Sequence, residues 1–199
     1  MFIREGTRVS VGDLLKGVII QSGNDASVAL AEHIAGSEFD FAGLMNKQAK
    51  ALGMNDTNFE NPTGLPNDNH YSTAKDLAKL TRALINDHPE QYKLYSEKRF
   101  KYNDIDQPNR NKLLWRDRSV DGVKTGFTKD AGYCLVASAE RNGMRLISVV
   151  LGTTGDEARL RESQKLLSFG FRNFETQTLY EAYSELRAEP VFYGTLESV

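Results

Sequence analysis

The spacing of apolar residues changes near the middle of the chain, and this change restricts the fold more than any other feature of the sequence. In the first half, apolar residues such as Leu14 and Val18 recur every three or four positions, which is the period of an amphipathic helix. In the second half, residues 132–152 contain two β-rich runs around Asn142-Gly143, a strong signal for a β-hairpin. The sequence therefore predicts a group of helices followed by an antiparallel sheet.

Capping residues set the ends of the predicted helices. Ser10 followed by Asp13 is a capping-box pattern, Gly36 is a C-terminal cap, and Thr73 with Asp76 repeats the N-terminal pattern. The chain between the third and fourth helices is rich in Asn, Asp, Gly and Pro, so it is predicted to be an ordered loop. The predicted segments are helices over 10–21, 24–35, about 41–52 and 73–85, with the loop over 53–72.

The second half is predicted to contain a sheet with one long helix against it. Residues 119–128 read as a strand beside the hairpin, and residues 98–103 as a weaker strand. The fold class is therefore α+β, with a helical cluster packed on an antiparallel sheet and a site in the crevice between them. A helix over 156–173 should cover the sheet with an apolar stripe of Leu160, Ser163, Leu166, Leu167, Phe171 and Phe174.

Charge and composition exclude several classes of function. The chain has 25 Lys and Arg against 27 Asp and Glu, a net charge of −2 with no basic block, so nucleic acid is not an expected partner. Cys134 is the single cysteine and the three histidines lack ligand-like spacing, so neither a disulfide, a metal nor another cofactor is expected. No apolar run approaches the roughly 20 residues of a membrane-spanning helix.

Two tripeptides carry the functional signal. Ser22-Gly23-Asn24 lies between two predicted helices, and Lys124-Thr125-Gly126 lies on a predicted strand. A given tripeptide occurs by chance in about 4% of chains of this length, and both occur together in about 0.2%. Their placement on a turn and on a strand makes coincidence less frequent still.

These tripeptides resemble two of the three motifs of penicillin-binding proteins and class A β-lactamases, Ser-Asp-Asn and Lys-Thr-Gly. With Gly23 at the middle position, the chain is similar to the low-molecular-mass D,D-carboxypeptidases, the family that includes penicillin-binding proteins 5 and 6. The resemblance covers roughly residues 1–175. It extends to Asn61-Pro62-Thr63-Gly64-Leu65, to Asn109-Arg110-Asn111 before Leu113-Leu114-Trp115, to Val120-Asp121-Gly122-Val123 before the second tripeptide, and to Met144-Arg145-Leu146-Ile147.

The resemblance implies a transpeptidase-like domain over 1–175 and the start of a β-rich second domain over 176–199. It implies a serine hydrolase that removes the terminal D-alanine from peptidoglycan stem peptides ending in D-Ala-D-Ala, through an acyl-enzyme, and that β-lactams inhibit. It also implies a periplasmic protein, peripheral to the cytoplasmic membrane, whose membrane association would come only from segments outside this chain.

The nucleophile is expected to lie outside these 199 residues. The family takes its nucleophilic serine and base lysine from a Ser-x-x-Lys element upstream of the Ser-Gly-Asn turn, and no such element precedes Ser22 here. Ser72-Thr73-Ala74-Lys75 fits the pattern literally, but its order relative to Ser22 is reversed and Thr73 is expected to cap a helix. We therefore expect that the chain begins and ends inside a larger protein and cannot acylate alone. Loss of upstream strands would expose a sheet edge.

The resemblance assigns proton transfer to Ser22 and Lys124. Ser22 is the candidate proton shuttle to the departing amine, and Lys124 supplies a cation near it that also attracts an anionic peptide end. Asn24 is expected to donate to a substrate carbonyl. The residues alone allow other interpretations, namely helix caps for Ser22 and Asn24 and a solvated strand lysine for Lys124.

The further residues expected to bind substrate are Thr125, Gly126, Phe127, Arg110 and Arg159. Thr125 offers a hydroxyl to the terminal carboxylate, and Gly126 allows an extended peptide to pair with the strand. Arg110 resembles the family arginine that helps to hold the terminal carboxylate, although it could instead form a surface salt bridge. Arg159 resembles a second family arginine near the site, although Arg161 makes this alignment ambiguous.

Phe127 stands where several relatives have histidine. Its backbone N–H can still complete an oxyanion hole, because that donation does not depend on the side chain.

Two alternatives to a carboxypeptidase stay open at this stage. A class A β-lactamase would need a glutamate-bearing loop to activate the deacylating water, and residues 61–70 contain no acid resembling it beyond Asp68. A non-catalytic fragment that binds stem peptides would need no nucleophile.

Overall fold

The computed structural model describes residues 1–181 and 183–187, in which the four longest helices of the first half precede the strands. They correspond to the four helices predicted from the sequence, each to within three residues at either end. Their bounds are α1 Val11–Gln21, α2 Asn24–Ala35, α3 Glu38–Ala51 and α4 Ala74–Asp87.

The predicted caps close these helices. The Ser10 hydroxyl accepts a hydrogen bond from the Asp13 amide at 3.0 Å, and Thr73 does the same for Asp76 at 3.2 Å. Gly36 ends α2 with a φ of 84°, a left-handed conformation that glycine adopts at little cost. The caps therefore satisfy amides and carbonyls that the helix ends would otherwise leave unpaired.

Five strands follow, in two antiparallel sheets. A two-stranded sheet pairs β1 with β2, and a three-stranded sheet has the order β3-β4-β5, so β3 is an edge strand among the described residues. Asn142 and Gly143 join β4 to β5 with φ values of 50° and 77°, which is the backbone of a type I′ turn. The strand bounds are β1 Arg99–Tyr102, β2 Ile105–Pro108, β3 Val120–Thr128, β4 Gly132–Arg141 and β5 Met144–Thr153.

Three short helices and one long helix complete the described fold. They are α5 Pro89–Tyr92, a 3₁₀ turn over Lys93–Ser96, α6 Leu113–Arg116 and α7 Asp156–Asn173. β2 and the short helices were not predicted from the sequence, because four residues are too few to show a period.

Two apolar clusters hold the elements together. Burying a Leu or Phe side chain contributes roughly 1.5–3 kcal/mol, so both clusters stabilise the walls of the crevice between them. The cluster between α7 and the larger sheet consists of Leu113, Leu114, Val120, Leu135, Ala137, Ala139, Leu160 and Leu167. The cluster between α1, α2 and β1 consists of Met1, Leu14, Ile19, Ile20, Ala26 and Phe100.

Two details of the predicted α7 stripe are wrong. Leu160, Ser163 and Leu167 are buried, but Leu166 is 50% and Phe174 62% exposed. Leu166 lies on the solvent-facing side of α7, and Phe174 lies beyond the last turn of that helix. Of the predicted second domain over 176–199, residue 182 and residues 188–199 lie outside the described residues, and the domain stays a prediction.

Candidate active site

Ser22 occupies the sharp turn between α1 and α2. It is the C-cap of α1, with φ 57° and ψ 45°, and its amide donates to the Val18 carbonyl at 3.1 Å. A left-handed backbone is uncommon for a residue other than glycine, asparagine or aspartate, and such conformations are often found at functional sites. Gly23 is the N-cap of α2 and has no side chain to cap it, so Ser22 does not act as the cap of α2.

Lys124 reaches this turn from the edge strand β3. Its Nζ donates to the Ser22 hydroxyl and to the Thr125 carbonyl, the latter at 2.9 Å. The two groups are 102 positions apart in the chain, so the sheet and the helical cluster must both be in place for them to meet. Because Lys124 is partly buried and hydrogen-bonded, it is not a solvated strand lysine.

The surroundings of Lys124 shift its acidity. Burial, together with the positive charges of Arg110 and Arg159, lowers the pKa of Lys124 from its ordinary 10.5 to about 8. At neutral pH the group is therefore a cation that gives up its proton more easily than an ordinary lysine. A shift of this kind, caused by burial and like charges in a cleft, is typical of functional sites.

All eight candidate residues line one cleft of about 940 Å³, which is large enough for a short peptide. Its walls are the α1–α2 turn, the edge of β3 with the start of the hairpin, and the 53–72 loop. The candidates on its surface are Ser22, Asn24, Arg110, Lys124, Thr125, Gly126, Phe127 and Arg159. The fold thus brings together every site residue that the sequence predicted.

The strand residues after Lys124 differ in their exposure. Thr125 is buried, whereas Gly126 is exposed and Phe127 is 56% exposed. A Cβ built on Gly126 would lie 3.6 Å from the Cys134 Cβ, an ordinary contact, so the fold itself does not require glycine there. The Phe127 ring packs on Tyr133 at a centroid distance of 4.3 Å.

Asn24 begins α2 and is exposed at the mouth of the cleft. Its side chain forms no cap on α2, since that helix has Gly23 at its N-cap position and no side-chain cap. The amide is therefore available to a bound molecule.

Arg110 is anchored beside Ser22 by the end of α1. Its Nε donates to the Gln21 carbonyl at 2.9 Å and its backbone amide donates to the Ile20 carbonyl at 3.2 Å. The C-terminal carbonyls of a helix carry partial negative charge, which suits a guanidinium. Among the described residues Arg110 forms no salt bridge, so the surface ion pair considered from the sequence is absent there.

Two buried asparagines fix the backbone on either side of Arg110. The Asn109 side chain donates to the Glu97 carbonyl at 2.9 Å and accepts from the Asn111 amide at 2.9 Å. Asn111 donates to the Gly122 carbonyl of β3 at 3.0 Å. Because buried amides without partners are costly, these bonds tie the Arg110 segment firmly to the strand that carries Lys124.

Arg159 belongs to α7, lies beside Gly126 near the C-terminal end of β3, and is almost completely buried. Its Nη1 donates to the carbonyls of Gly126 at 3.0 Å and Cys134 at 3.2 Å, and its Nη2 pairs with Asp156. The guanidinium carbon lies 5.5 Å from the Tyr133 ring centroid. Arg159 thus borders the cleft while most of its donors contact the protein.

The 53–72 loop forms a wall that the sequence analysis did not assign to the site. The Asn61 side-chain oxygen, Oδ1, accepts from the amides of Thr63, Gly64 and Leu65 at 2.7–3.1 Å, which shapes the loop tip over the cleft. The motif Asn61-Pro62-Thr63-Gly64 is the sequence signal from which this turn could have been predicted. The lining residues of the loop are Phe59, Pro62, Thr63, Gly64, Leu65, His70 and Ser72.

The segment Ser72-Thr73-Ala74-Lys75, which fits the Ser-x-x-Lys pattern literally, has a structural role at the start of α4. The Ser72 hydroxyl is hydrogen-bonded to Thr57 at 2.9 Å, and Lys75 is exposed on the first turn of α4. Thr73 caps that helix, as the sequence predicted. No interaction joins Ser72 to Lys75 in the described part of the chain.

Neither a metal site nor a membrane span is found in residues 1–181 and 183–187. These residues contain no group of three or more His, Cys, Asp and Glu placed to hold a metal ion. Within the same ranges, no helix has the length and apolar character needed to cross a membrane.

Comparison with known proteins places this geometry in a family. Residues 1–155 match the family model described as D-alanyl-D-alanine carboxypeptidase, peptidase S11. The chain is 52% identical to the D-alanyl-D-alanine carboxypeptidase DacC of Escherichia coli over all of its own length and 50% of that protein. It is also 52% identical to DacA of Haemophilus influenzae, of which it covers 51%. The chain thus spans about half the length of these curated relatives.

Solved structures agree with the sequence relatives. The chain resembles penicillin-binding protein 5 from H. influenzae with a TM-score of 0.91 and 52% identity, covering all of this chain and 58% of that one. It resembles penicillin-binding protein 6B from E. coli with a TM-score of 0.87 and 48% identity, covering 92% and 58%. The predicted α+β transpeptidase-like fold is confirmed. With more than half of its residues matching the family model, the chain belongs to the D-alanyl-D-alanine carboxypeptidase family, peptidase S11.

Proposed function

We propose that these residues form the proton-transfer and substrate-binding half of a serine D,D-carboxypeptidase active site. The observation that carries the proposal is the hydrogen bond between the Lys124 ammonium and the Ser22 hydroxyl inside one cleft. The enzyme would remove the terminal D-alanine from peptidoglycan stem peptides. Its place would be the periplasmic face of the cytoplasmic membrane, as the family resemblance implies.

The chemistry needs a serine nucleophile and a base that the printed sequence does not place before Ser22. By resemblance, both come from a Ser-x-x-Lys element N-terminal to residue 1. The nucleophile attacks the carbonyl of the penultimate D-alanine, the peptide bond breaks, and D-alanine leaves as the amine. Water then attacks the acyl-enzyme and releases the shortened peptide, so that one water is consumed for each D-alanine released.

Ser22 can deliver the proton that the leaving amine requires. Its oxygen accepts from Lys124, so its own O–H can point to another acceptor. The adjacent ammonium lowers the energy of negative charge that develops on the Ser22 oxygen as the proton moves away. When water attacks, the same pair can pass a proton in the opposite direction.

The exposed edge of β3 suits an extended peptide. β3 has a sheet partner only on its β4 side among the described residues, and its free edge faces the cleft. A stem peptide could pair there as an added strand, with the Asn24 amide on a substrate carbonyl and the Phe127 N–H in the oxyanion hole. Arg110 and Thr125 would then hold the terminal carboxylate.

β-Lactams are the proposed inhibitors, since they acylate such serines in place of the peptide. Solved relatives include penicillin-binding protein D2 of Listeria monocytogenes in a cefotaxime-bound form, which is 39% identical to this chain with a TM-score of 0.77. Support for the carboxypeptidase over a β-lactamase comes from the cleft lining on the 53–72 loop, which contains no carboxylate that could activate water.

Fluorescent penicillin and a D-Ala-D-Ala peptide test the proposal. The full gene product should be labelled covalently and should release D-alanine, and the Ser22→Ala variant should do both far more slowly. A Ser27→Ala variant is the matched control, because Ser27 also lines the cleft but bonds only to the Gly23 carbonyl. Absence of labelling in the full product would contradict the proposal. Faster turnover of penicillin than of peptide would favour a β-lactamase.

The 199 residues alone are proposed to be unable to form a penicillin adduct, because they lack a Ser-x-x-Lys element before Ser22. Mass spectrometry of the isolated chain after incubation with penicillin is the direct test. An adduct on any serine would refute this part of the proposal.

A further inference from the structure

Arg159 and Arg110 use their donors in opposite ways. The Arg159 side chain is only 8% exposed, and three of its hydrogen bonds go to the protein: two to the carbonyls of Gly126 and Cys134 and one to the Asp156 carboxylate. Arg110 is exposed, and of its side-chain nitrogens only Nε donates a hydrogen bond within the described residues, to the Gln21 carbonyl. Within the described residues, neither Nη atom of Arg110 has a hydrogen-bond partner.

The two carbonyls that Arg159 holds lie at one point of the sheet. Gly126 and Cys134 are direct partners in the β3–β4 register, so a single guanidinium nitrogen bridges both strands there. The next residue along β3 is Phe127, whose backbone N–H is the proposed oxyanion donor. Fixing the Gly126 carbonyl therefore fixes the peptide plane that contains this N–H, because the two belong to one planar peptide unit.

Asp156 is in turn held in place and kept ionised. Lys112 pairs with its second carboxylate oxygen at 2.5 Å, while Arg159 binds the first. Burial alone would raise the pKa of Asp156, but the hydrogen bonds from Lys112 and Arg159 outweigh it and keep the pKa below its usual range. Lys112, Asp156 and Arg159 thus form a continuous chain of ion pairs from α6 to the end of β3.

We propose that Arg159 is a positioning residue for the oxyanion donor of β3, and that Arg110 is the arginine that binds the substrate carboxylate. This inference rests on the proposed carboxypeptidase function. It replaces the expectation from the family resemblance that Arg159, like Arg110, binds substrate directly. The reason is that both Nη atoms of Arg159 are bonded to protein acceptors and its Nε is buried without a partner, so the guanidinium would have to break bonds to carbonyls or to Asp156 before it could grip a carboxylate in a fork.

Two peptide substrates distinguish the roles, one ending in D-Ala-D-Ala carboxylate and one with the C-terminal amide. In the full gene product, Arg110→Met should lower the acylation rate of the carboxylate peptide about 10–100-fold and change the amide by less than about threefold. Arg159→Lys keeps the positive charge but loses the planar guanidinium that can bond to several acceptors at once. It should therefore lower the acylation rates of both peptides by a similar factor of about ten and leave the ratio of the two rates unchanged.

Asp156→Asn provides a second variant that leaves Arg159 in place. It should lower both rates together by about threefold, because the amide oxygen still accepts a hydrogen bond but carries no charge. Labelling with fluorescent penicillin at saturation should stay at one per chain in each variant, which shows that rate is lost and not folded protein.

Each outcome decides the assignment. If Arg159→Lys lowers the carboxylate-to-amide ratio as Arg110→Met does, Arg159 is a substrate ligand and the proposal is overturned. If Arg159→Lys leaves both rates unchanged, it does not position the strand and the proposal is equally overturned. A wild-type protein that does not acylate, or that shows no preference for the carboxylate peptide, contradicts the proposed function instead.

Discussion

Replacing Lys124 with methionine should make the folded protein more stable at pH 7 while removing the cation of the proposed site. The pKa of Lys124 in the fold is about 8 against an ordinary 10.5, so holding the charge there costs ~3 kcal/mol at ~1.36 kcal/mol per pKa unit. Methionine has no charge to desolvate. The Ser22 hydroxyl and Thr125 carbonyl that lose a donor border the cleft, where water can replace it.

The expected gain is about 2–3 kcal/mol in the free energy of unfolding, or about 4–12 °C in melting temperature for a chain of this size. Urea unfolding of both proteins at pH 7 measures it directly. Lys124→Arg is the matched control, since it keeps a buried charge and should show no such gain.

The pH dependence of this difference tests its cause. Below about pH 8 both folded and unfolded states carry the proton on Lys124; between about pH 8 and 10.5 only the unfolded state binds it, so the stability of the wild-type protein rises with pH there. The advantage of the methionine variant should therefore shrink by ~2–3 kcal/mol between pH 7 and pH 10. A methionine variant that is less stable than wild type at pH 7, or an advantage that does not change with pH, would refute this reasoning.

Three further predictions concern the neighbours of Lys124. Ser22→Ala should lower the acylation rate of the full gene product at least about 100-fold, since general acid–base groups contribute that much, and should leave penicillin stoichiometry at one per chain. Arg110→Met removes a positive charge that lowers the pKa of Lys124, so the alkaline limb of the pH–rate profile should move upward from about pH 8; a limb that stays in place would show that another group sets it. Asn111→Leu leaves the buried Gly122 carbonyl and Leu113 amide without partners and should cost about 2–4 kcal/mol in urea unfolding, whereas an exposed control, Asn69→Ala, should cost less than about 1 kcal/mol.

Local signals predicted the helices and the hairpin well, because each depends on a few neighbouring residues. Ser10, Gly36 and Thr73 are caps whose preference acts within one turn, and Asn142-Gly143 adopts positive φ values that suit a tight hairpin. β2 could not be read in the same way. Its four residues Ile105–Pro108 become a strand because β1 pairs with them, and this pairing leaves no period in the sequence.

The sequence predicted which residues line the site, but it did not predict which groups those residues contact. Ser22 and Lys124 stood out because both tripeptides are rare, and resemblance to a family supplied their partners. What each arginine contacts depends on burial and on distant carbonyls, such as those of Gly126 and Cys134 against Arg159. The loop wall at His70 was also missed, since no apolar period marks it; burial lowers the pKa of His70, which favours its neutral form there.

A double-mutant cycle on Ser22 and Lys124 is the most direct test of the central claim that these two side chains act as one proton-transfer unit. Acylation rates with penicillin would be measured for the full gene product, for Ser22→Ala, for Lys124→Met and for the double variant. We predict that the double variant is no slower than the slower single variant, because either change disables the same unit. Rate losses that multiply in the double variant would show that the two groups act independently and would contradict it.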